Sequence, residues 1–313
     1  MPRPLRLVFL GTPAFAVPTL DRIVEAGHQV TAVVTQPDRP RGRGQQLAPP
    51  PVKVAALRLG LPVYQPERVR RPEAVEFLRA QAAEAMVVVG YGQIIPQTVI
   101  DLAPKGFINV HGSLLPKYRG AAPIQWAILN GETRTGVTTM RIDAGLDTGA
   151  MLLKAETGIA PDEDAPSLGR RLAELGARLL VETLEGLAAG TIVPEAQDPA
   201  QATYAPMLKK EDGRIDWTRP AAAIHNQVRA LQPSPGAYTG FRGQTLHVRR
   251  ARVAASAAAG ARPGTVASVK PLTVICGEGA LELLEVQSEG RKRVSAADFA
   301  NGQRLTENEV LGD

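Results

Sequence analysis

The first half of the chain alternates short, almost continuously apolar segments with segments of helical periodicity. The apolar segments span residues 5–11, 28–36, 83–92 and 106–112. A strand that is apolar along its whole length is buried on both faces, which is typical of a parallel sheet covered by helices on both sides. The pattern therefore predicts an α/β fold, with a Rossmann-like, mostly parallel sheet in an N-terminal domain.

The pattern changes beyond these strands. Residues 135–156 predict a hairpin of two strands, and a helix over 164–190 would close an N-terminal domain of residues 1–190. Residues 191–207 are rich in Pro, Gln and Asp, which is typical of a linker. Residues 208–313 hold one helical segment and several short strands, so they predict an OB-like β-barrel as a C-terminal domain.

The composition excludes several classes of protein. One cysteine in 313 residues rules out an internal disulfide framework and a Cys-rich zinc site. No apolar segment approaches the ~18 residues of a membrane span, and no signal peptide is evident, so we expect a soluble cytoplasmic protein. Residues 208–313 carry 15 Lys and Arg against 11 Asp and Glu. This excess fits either simple solubility or a polyanionic partner.

Two polar residues stand at the end of the fourth apolar segment. Asn109 and His111 are two positions apart, so a strand presents both side chains on one face. Ligands of open α/β sheets bind beyond the carboxyl ends of the strands, where these residues lie. The Gly- and Pro-rich stretch 112–120 that follows favours a ligand site over an ordinary strand exit, although a histidine satisfied by its neighbours stays an alternative.

Two acidic residues occupy the turn of the predicted hairpin. Asp143 fits a structural role, because carboxylates in turns commonly bond local amides. Asp147 lies between Gly145 and Gly149, where the backbone can approach a ligand closely. It is therefore a candidate partner for His111, since a carboxylate orients an imidazole and stabilises its protonated form.

A basic segment follows the second apolar strand. Residues 35–53 contain Arg39, Arg41 and Arg43 against the single acid Asp38. The many prolines and glycines make a helix or strand unfavourable here. The segment is either a solvated loop or a basic arm that binds phosphates.

Motifs of other chemistries are missing. Only Gly11 stands where a dinucleotide-binding fold would need three glycines, and no P-loop, HExxH or GxSxG motif occurs. Cys276 lies in an apolar stretch, where we expect an inert core residue. An Asn, a His and an Asp without a metal or a nucleophile fit general-base transfer of a small group.

Several stretches carry a resemblance to a known superfamily. HGSLLPKYRGAAPIQW, which begins at His111, and DAGLDTG, which contains Asp147, resemble motifs of the folate-dependent formyltransferases. The similarity continues through FLGTPAFAVP, TQPDRPRGRGQQL and TYAPMLKKEDGRIDW, so it covers nearly the whole chain. The resemblance implies that Asn109, His111 and Asp147 are the catalytic residues. The contact residues it implies are Ser113, Leu114, Leu115 and Pro116 for 10-formyltetrahydrofolate, and Arg39, Arg41, Arg43, Lys209 and Lys210 for tRNA.

The resemblance also implies an activity. The formyl group of 10-formyltetrahydrofolate would pass to the α-amino group of methionyl-initiator tRNA for translation initiation, in a monomer that needs no metal. Alternatives in the same superfamily act on glycinamide ribonucleotide, on sugar nucleotides or on water, and a non-enzymatic folate- or RNA-binding module is a further one. The arginine loop and the basic second domain favour tRNA.

Overall fold

The apolar segments of the first half form a seven-stranded sheet in the computed structural model, which describes residues 3–41, 46–254 and 262–312. The sheet has the order β5–β2–β1–β6–β7–β8–β9, and β3 pairs only with β4. These strands are β1 (Arg6–Gly11), β2 (Gln29–Val34), β3 (Arg39–Arg41), β4 (Gln46–Ala48), β5 (Val63–Tyr64), β6 (Ala85–Val89), β7 (Phe107–His111), β8 (Arg134–Arg141) and β9 (Met151–Gly158).

The pairing in this sheet is mostly parallel. β1 runs parallel to β2 and β6, β2 to β5, and β6 to β7, whereas β7 and β8 are antiparallel. The predicted α/β fold with a parallel-rich sheet is thereby confirmed. The helices of this half of the chain are α1 (Val17–Glu25), α2 (Pro51–Arg58), α3 (Pro72–Ala80), α4 (Gln97–Ile100), α5 (Pro123–Leu129) and α6 (Ala165–Ala189).

One prediction for the first half is wrong. The Gly- and Pro-rich segment was expected to contain no strand, yet β3 and β4 form a short antiparallel pair within it. Pro40 lies opposite Leu47. Proline is tolerated because this two-stranded pair has no third strand that would need the missing N–H.

The C-terminal part contains an antiparallel sheet of six strands, ordered β10–β11–β14–β13–β12 with β15 on β14. Apolar side chains of its strands and helices, among them Ile224, Val248 and Phe299, form one core. The predicted short strands and helix are confirmed, whereas a second helix at Ala296–Gln303 was not predicted. No pairing in the described residues closes this sheet into a barrel. The elements are α7 (Ala221–Ala230), β10 (Ala237–Phe241), β11 (Gln244–Val253), β12 (Val266–Val269), β13 (Leu272–Ile275), β14 (Ala280–Ser288), β15 (Val294–Ser295) and α8 (Ala296–Gln303).

The chain divides into two units, and each combines stretches that are distant in sequence. The first unit includes Gly169–Tyr204, so most of the segment 191–207 belongs to it. In the second unit α5 packs against α7. The first unit is Met1–Gly120, Thr135–Thr157 and Gly169–Tyr204, and the second is Ala121–Arg134, Gly158–Leu168 and Ala205–Asp313.

Helix α6 covers the face of the sheet opposite to Asn109 and His111. Its contact point is Gly176, where an added Cβ would lie 2.7 Å from Val110 Cγ1 and 3.2 Å from Val137 Cγ1. Val110 alternates with Asn109 and His111 along β7, so α6 packs on one face and leaves the other to the polar residues. In the described part of the chain, neither α6 nor any other helix is long and apolar enough to cross a membrane.

The close approach at Gly176 predicts a stability change. Replacing glycine with alanine inside a helix normally stabilises it by about 1 kcal/mol. At Gly176 the added methyl group overpacks the valines of the sheet, which costs about 1–3 kcal/mol. We therefore expect Gly176→Ala to lower the midpoint of thermal unfolding, and Glu174→Ala on the exposed side of α6 to leave it nearly unchanged. A higher midpoint for Gly176→Ala would contradict this packing.

Candidate functional site

The polar face of β7 presents an amide and an imidazole at the carboxyl edge of the parallel strands. Asn109 lies beside Val88 of β6 and opposite Met140 of β8, while His111 lies opposite Thr138. Both residues point to the face that α6 does not cover, as the two-residue spacing predicts. Asn109 is half-buried, and the His111 side chain is 6% exposed.

His111 is held between two acceptors. Its Nε2 atom lies 2.9 Å from the carbonyl oxygen of Tyr118, and its Nδ1 atom lies 3.6 Å from Oδ2 of Asp147. A neutral imidazole can donate at one nitrogen only, whereas the protonated ring can donate to both acceptors. The Nδ1–Oδ2 distance is longer than a hydrogen bond, so Nδ1 stays available to a third group beside the Asp147 carboxylate.

The structure separates the two acidic residues of the turn between β8 and β9. Oδ1 of Asp143 accepts hydrogen bonds from the Gly145 N–H at 3.0 Å and from Oγ1 of Thr148 at 2.7 Å. Asp147 instead faces His111, and its Oδ2 atom also accepts the Gly120 N–H at 2.8 Å. Asp143 therefore stabilises the turn, and Asp147 belongs to the site.

The Asn109 amide has no hydrogen-bond partner among the residues that the structure describes. An amide that is half-buried and unbonded can offer its N–H groups to a ligand. Asn109, His111 and Asp147 therefore provide a free donor, an imidazole and a carboxylate in one place.

The predicted folate-binding residues divide into two pairs. Ser113 and Leu115 are buried: Oγ of Ser113 donates to the carbonyl of Lys117, and Leu115 packs with the methionines of the hairpin. Thr138 fixes the loop between them by donating to the carbonyl of Ser113 and accepting the N–H of Leu115. Leu114 and Pro116 are partly exposed, so any side-chain contact with a ligand falls to them.

The arginine loop is described only in part. The Arg39 side chain is 62% exposed and lies 3.2 Å from the carboxylate of Glu67. Arg41 is placed by its backbone in β3, and Arg43 lies outside the described residues. The loop and its tRNA contacts therefore stay a prediction.

A basic depression near this loop is not evident from the sequence. Segments that follow the carboxyl ends of β2, β5 and β6 line a cavity of about 350 Å³. Its lining includes Arg39, Arg68 and Arg70 together with the single acid Glu67. The sequence PERVRR shows these arginines, but nothing in it places them at the edge of the sheet where His111 lies.

The support of the Asp147 turn by Arg119 and Gln197 is likewise not evident from the sequence. Arg119 is only 5% exposed, and its Nε and Nη2 atoms donate to Oε1 of Gln197 at 2.9 and 2.8 Å. The Gln197 amide donates in turn to the carbonyls of Asp147 and Gly149, both at 2.8 Å. Gln197 lies in the segment predicted as a linker, and no local signal indicates its contact with the turn.

The C-terminal sheet carries fewer free charges than its composition suggests. Arg242 pairs with Glu309, Arg250 with Glu285 and Arg252 with Glu282, at N–O distances of 2.7, 3.2 and 2.8 Å. Lys209 and Lys210 are exposed, and neither has a carboxylate within ion-pair distance in the described residues. These pairs leave the net charge of the segment unchanged, but they neutralise three of its arginines locally.

Two expectations about other chemistry can be compared with the structure. Cys276 is buried directly after β13, and burial raises the pKa of its thiol to about 11, which confirms it as an inert core residue. Among the described ranges, no group of three His, Cys, Asp or Glu residues could hold a metal ion.

Comparison with known families gives two matches that cover most of the chain. Residues 5–184 match the family described as Formyl transferase, and residues 207–304 match Formyl transferase, C-terminal domain. The chain is 74% identical over 309 residues to methionyl-tRNA formyltransferase of Solibacter usitatus, an alignment that covers 99% of both chains. It is 57% identical to the protein of the same name from Koribacter versatilis, with 98% of both chains covered.

Solved structures show the same fold at low identity. An N-formyltransferase from Helicobacter canadensis, in complex with folinic acid and dTDP-3-aminofucose, matches with a TM-score of 0.67 and 19% identity. The match covers 89% of this chain and 99% of that one. At this identity the likeness supports the fold.

Proposed function

The chain belongs to the formyltransferase family, and we propose that it transfers the formyl group of 10-formyltetrahydrofolate to the α-amino group of methionyl-initiator tRNA. Relatives that are 74% and 57% identical over nearly their whole length are named methionyl-tRNA formyltransferases. The structural observation that carries the proposal is the placement of His111 between Asp147 and the Tyr118 carbonyl, with the Asn109 amide free beside it. This arrangement suits acyl transfer without a metal or a covalent intermediate.

The carboxyl edge of the sheet fits the folate donor. Arg68 and Arg70 in the basic depression match the carboxylates of a folate. Leu114 and Pro116 are exposed enough to contact it. When bound, the donor supplies a formyl group on a weakly basic aryl nitrogen, and the residues of the chain supply orientation and charge.

Three side chains can share the chemistry. The attacking α-amine must be neutral, and a free α-amine titrates near pH ~8, so little base catalysis is needed. Negative charge develops on the formyl oxygen, and Asn109 and the Nδ1–H of His111 are donors that can stabilise it. Asp147 stabilises the protonated His111 and can take part in moving the amine proton toward the departing nitrogen.

We propose that tRNA contacts come from the 36–46 loop, from Lys209 and Lys210, and from a C-terminal domain at 208–313 that follows a linker at 191–207. The charge of the two lysines supports this, because they are exposed and unpaired. We further propose that the antiparallel sheet is OB-like, that the protein acts as a monomer and that it works in the cytoplasm, where initiator tRNA is used.

The direct test of the proposed function is a formylation assay with 10-formyltetrahydrofolate and charged initiator tRNA. Parallel reactions contain an amino-sugar nucleotide, or water alone. We expect turnover only with the charged tRNA. Rapid formylation of the sugar, or hydrolysis of the donor at a comparable rate, would favour another branch of the family.

Substitutions of His111 and Asp147 should affect the chemical step without affecting folate binding. We expect His111→Ala and Asp147→Asn to lower kcat by ~10²–10⁴-fold while folate affinity stays close to that of the wild type, because these groups act on the reacting atoms. Asp143→Asn is the matched control, since the amide oxygen of Asn can still accept the two hydrogen bonds that Asp143 accepts in the turn. Single-turnover kinetics and folate fluorescence titration measure the two quantities. Near-normal kcat in His111→Ala would contradict the assignment.

The arginine loop should position the acceptor end in addition to attracting it. We expect Arg43→Ala to lower kcat/KM by about 10–100-fold, more than it weakens tRNA binding, because a misplaced amine is bound but unreactive. Arg43→Lys should restore only part of the lost kcat/KM, since the ammonium group of lysine cannot make the bidentate hydrogen bonds of a planar guanidinium. Arg39→Ala should lower kcat/KM by a smaller factor than Arg43→Ala, because Arg39 already pairs with Glu67. Equal small losses at both positions, fully restored by lysine, would indicate a nonspecific patch.

The two lysines should contribute to the salt dependence of tRNA binding. Each phosphate contact adds roughly 0.7–0.9 to the slope of log affinity against log salt. We expect the double variant Lys209→Ala, Lys210→Ala to make this slope shallower by about 1–2, as measured by filter binding. The control is Arg252→Gln, Glu282→Gln, which removes a paired arginine at constant net charge. An unchanged slope in the lysine variant would remove these residues from the interface.

A further inference from the structure

We propose that Gln197 is a positioning residue for the formyl transfer: its side-chain amide, oriented by Arg119, holds the Asp147 turn so that the carboxylate faces His111. The inference rests on the proposed function, because it assigns Gln197 a role through Asp147.

The turn needs support because Asp147 has an unfavourable backbone conformation. Its φ angle is +52°, in the left-handed region that residues with a Cβ rarely adopt. The turn also approaches the neighbouring backbone closely, since a Cβ added at Gly149 would lie 1.8 Å from the carbonyl oxygen of Arg141. Asp143 stabilises the turn from within, and interactions outside the turn add to this in holding the conformation that directs Asp147 toward His111.

Gln197 supplies these interactions with both of its amide hydrogens. Its Nε2 atom lies 2.8 Å from the carbonyl oxygens of Asp147 and of Gly149, two positions apart in the turn. One side chain thus binds the turn at the strained residue and again two positions after it. The carboxylate is fixed separately by the Gly120 N–H, so backbone and side chain of Asp147 are each held.

Arg119 determines which way the Gln197 amide faces. A guanidinium can only donate, and its Nε and Nη2 atoms both donate to Oε1 of Gln197. The NH₂ group must then face the carbonyls of the turn. Arg119 is buried, and the described residues give its guanidinium no carboxylate partner. Burying a cation without a counter-charge is unfavourable in free energy. A role in orientation accounts for this cost, because no neutral side chain offers the same fork of donors.

The segment that carries Gln197 also supports the second acceptor of His111. The N–H and carbonyl of Glu195 pair with those of Met151 at 2.8 Å, just after the turn. Further along, Thr203 accepts the N–H of Tyr118 through Oγ1 at 2.9 Å. The Tyr118 carbonyl and the Asp147 carboxylate, which flank the ring, are therefore stabilised by one stretch of chain.

The test is Gln197→Glu in the full-length protein. Glutamate has the shape of glutamine and accepts from Arg119, but it cannot donate to the two carbonyls of the turn. We expect kcat to fall by about 10–100-fold, the effect of a displacement near 1 Å, with KM for folate and tRNA within about threefold of the wild type. Gln197→Met should lower kcat by a similar factor, because methionine has neither a hydrogen-bond donor nor a charge. The control is Gln201→Glu, because Gln201 is exposed and bonds only Asp198 nearby.

A second measurement separates positioning from general loss of structure. If Gln197 acts through Asp147, adding Gln197→Glu to Asp147→Asn should lower kcat by less than about twofold further. A kcat within twofold of the wild type in both Gln197 variants, or losses that multiply in the double variant, would overturn the positioning role. An inactive wild-type enzyme with charged initiator tRNA would instead contradict the proposed function, and the inference with it.

Discussion

The contact between His111 and Asp147 is the interaction on which the site depends. An imidazole placed between a backbone carbonyl and a carboxylate can carry a proton and donate at both nitrogens. Each part of the first unit contributes to this placement. The parallel strands bring His111 to the carboxyl edge, α6 fills the opposite face of β7, and the β8–β9 turn brings the carboxylate within 3.6 Å.

The sequence could predict the parts of this site that depend on local periodicity. Apolar segments indicated the parallel strands, and the two-residue spacing placed Asn109 and His111 on one face. The separation of Asp147 from Asp143 was already indicated by the flanking glycines. The support of the turn could not be predicted, because Arg119 and Gln197 are 78 positions apart and no period links them. The β3–β4 pair was missed because proline and glycine content says little about a strand pair that has no outer neighbours.

The charge pairing in the C-terminal sheet is a second feature that could not be predicted from the sequence. The excess of Lys and Arg over Asp and Glu in residues 208–313 fitted a polyanionic partner as well as simple solubility. In the structure, Arg250 lies opposite Glu285 and Arg252 opposite Glu282 across β11 and β14. Strand register decides which charges face each other, and register comes from the packing of the whole sheet. The charge available to a polyanion therefore lies in residues outside these pairs, such as Lys209 and Lys210.

The measurement that most directly tests the account is a double-mutant cycle between His111 and Asp147 on single-turnover formylation of methionyl-initiator tRNA. Residues that act as one unit have strongly non-additive effects on kcat. The account predicts that the rate of the His111→Ala, Asp147→Asn variant lies within a few-fold of the slower single variant. Losses that multiply in the double variant would show that the two side chains act independently, and would contradict the pairing on which the site is built.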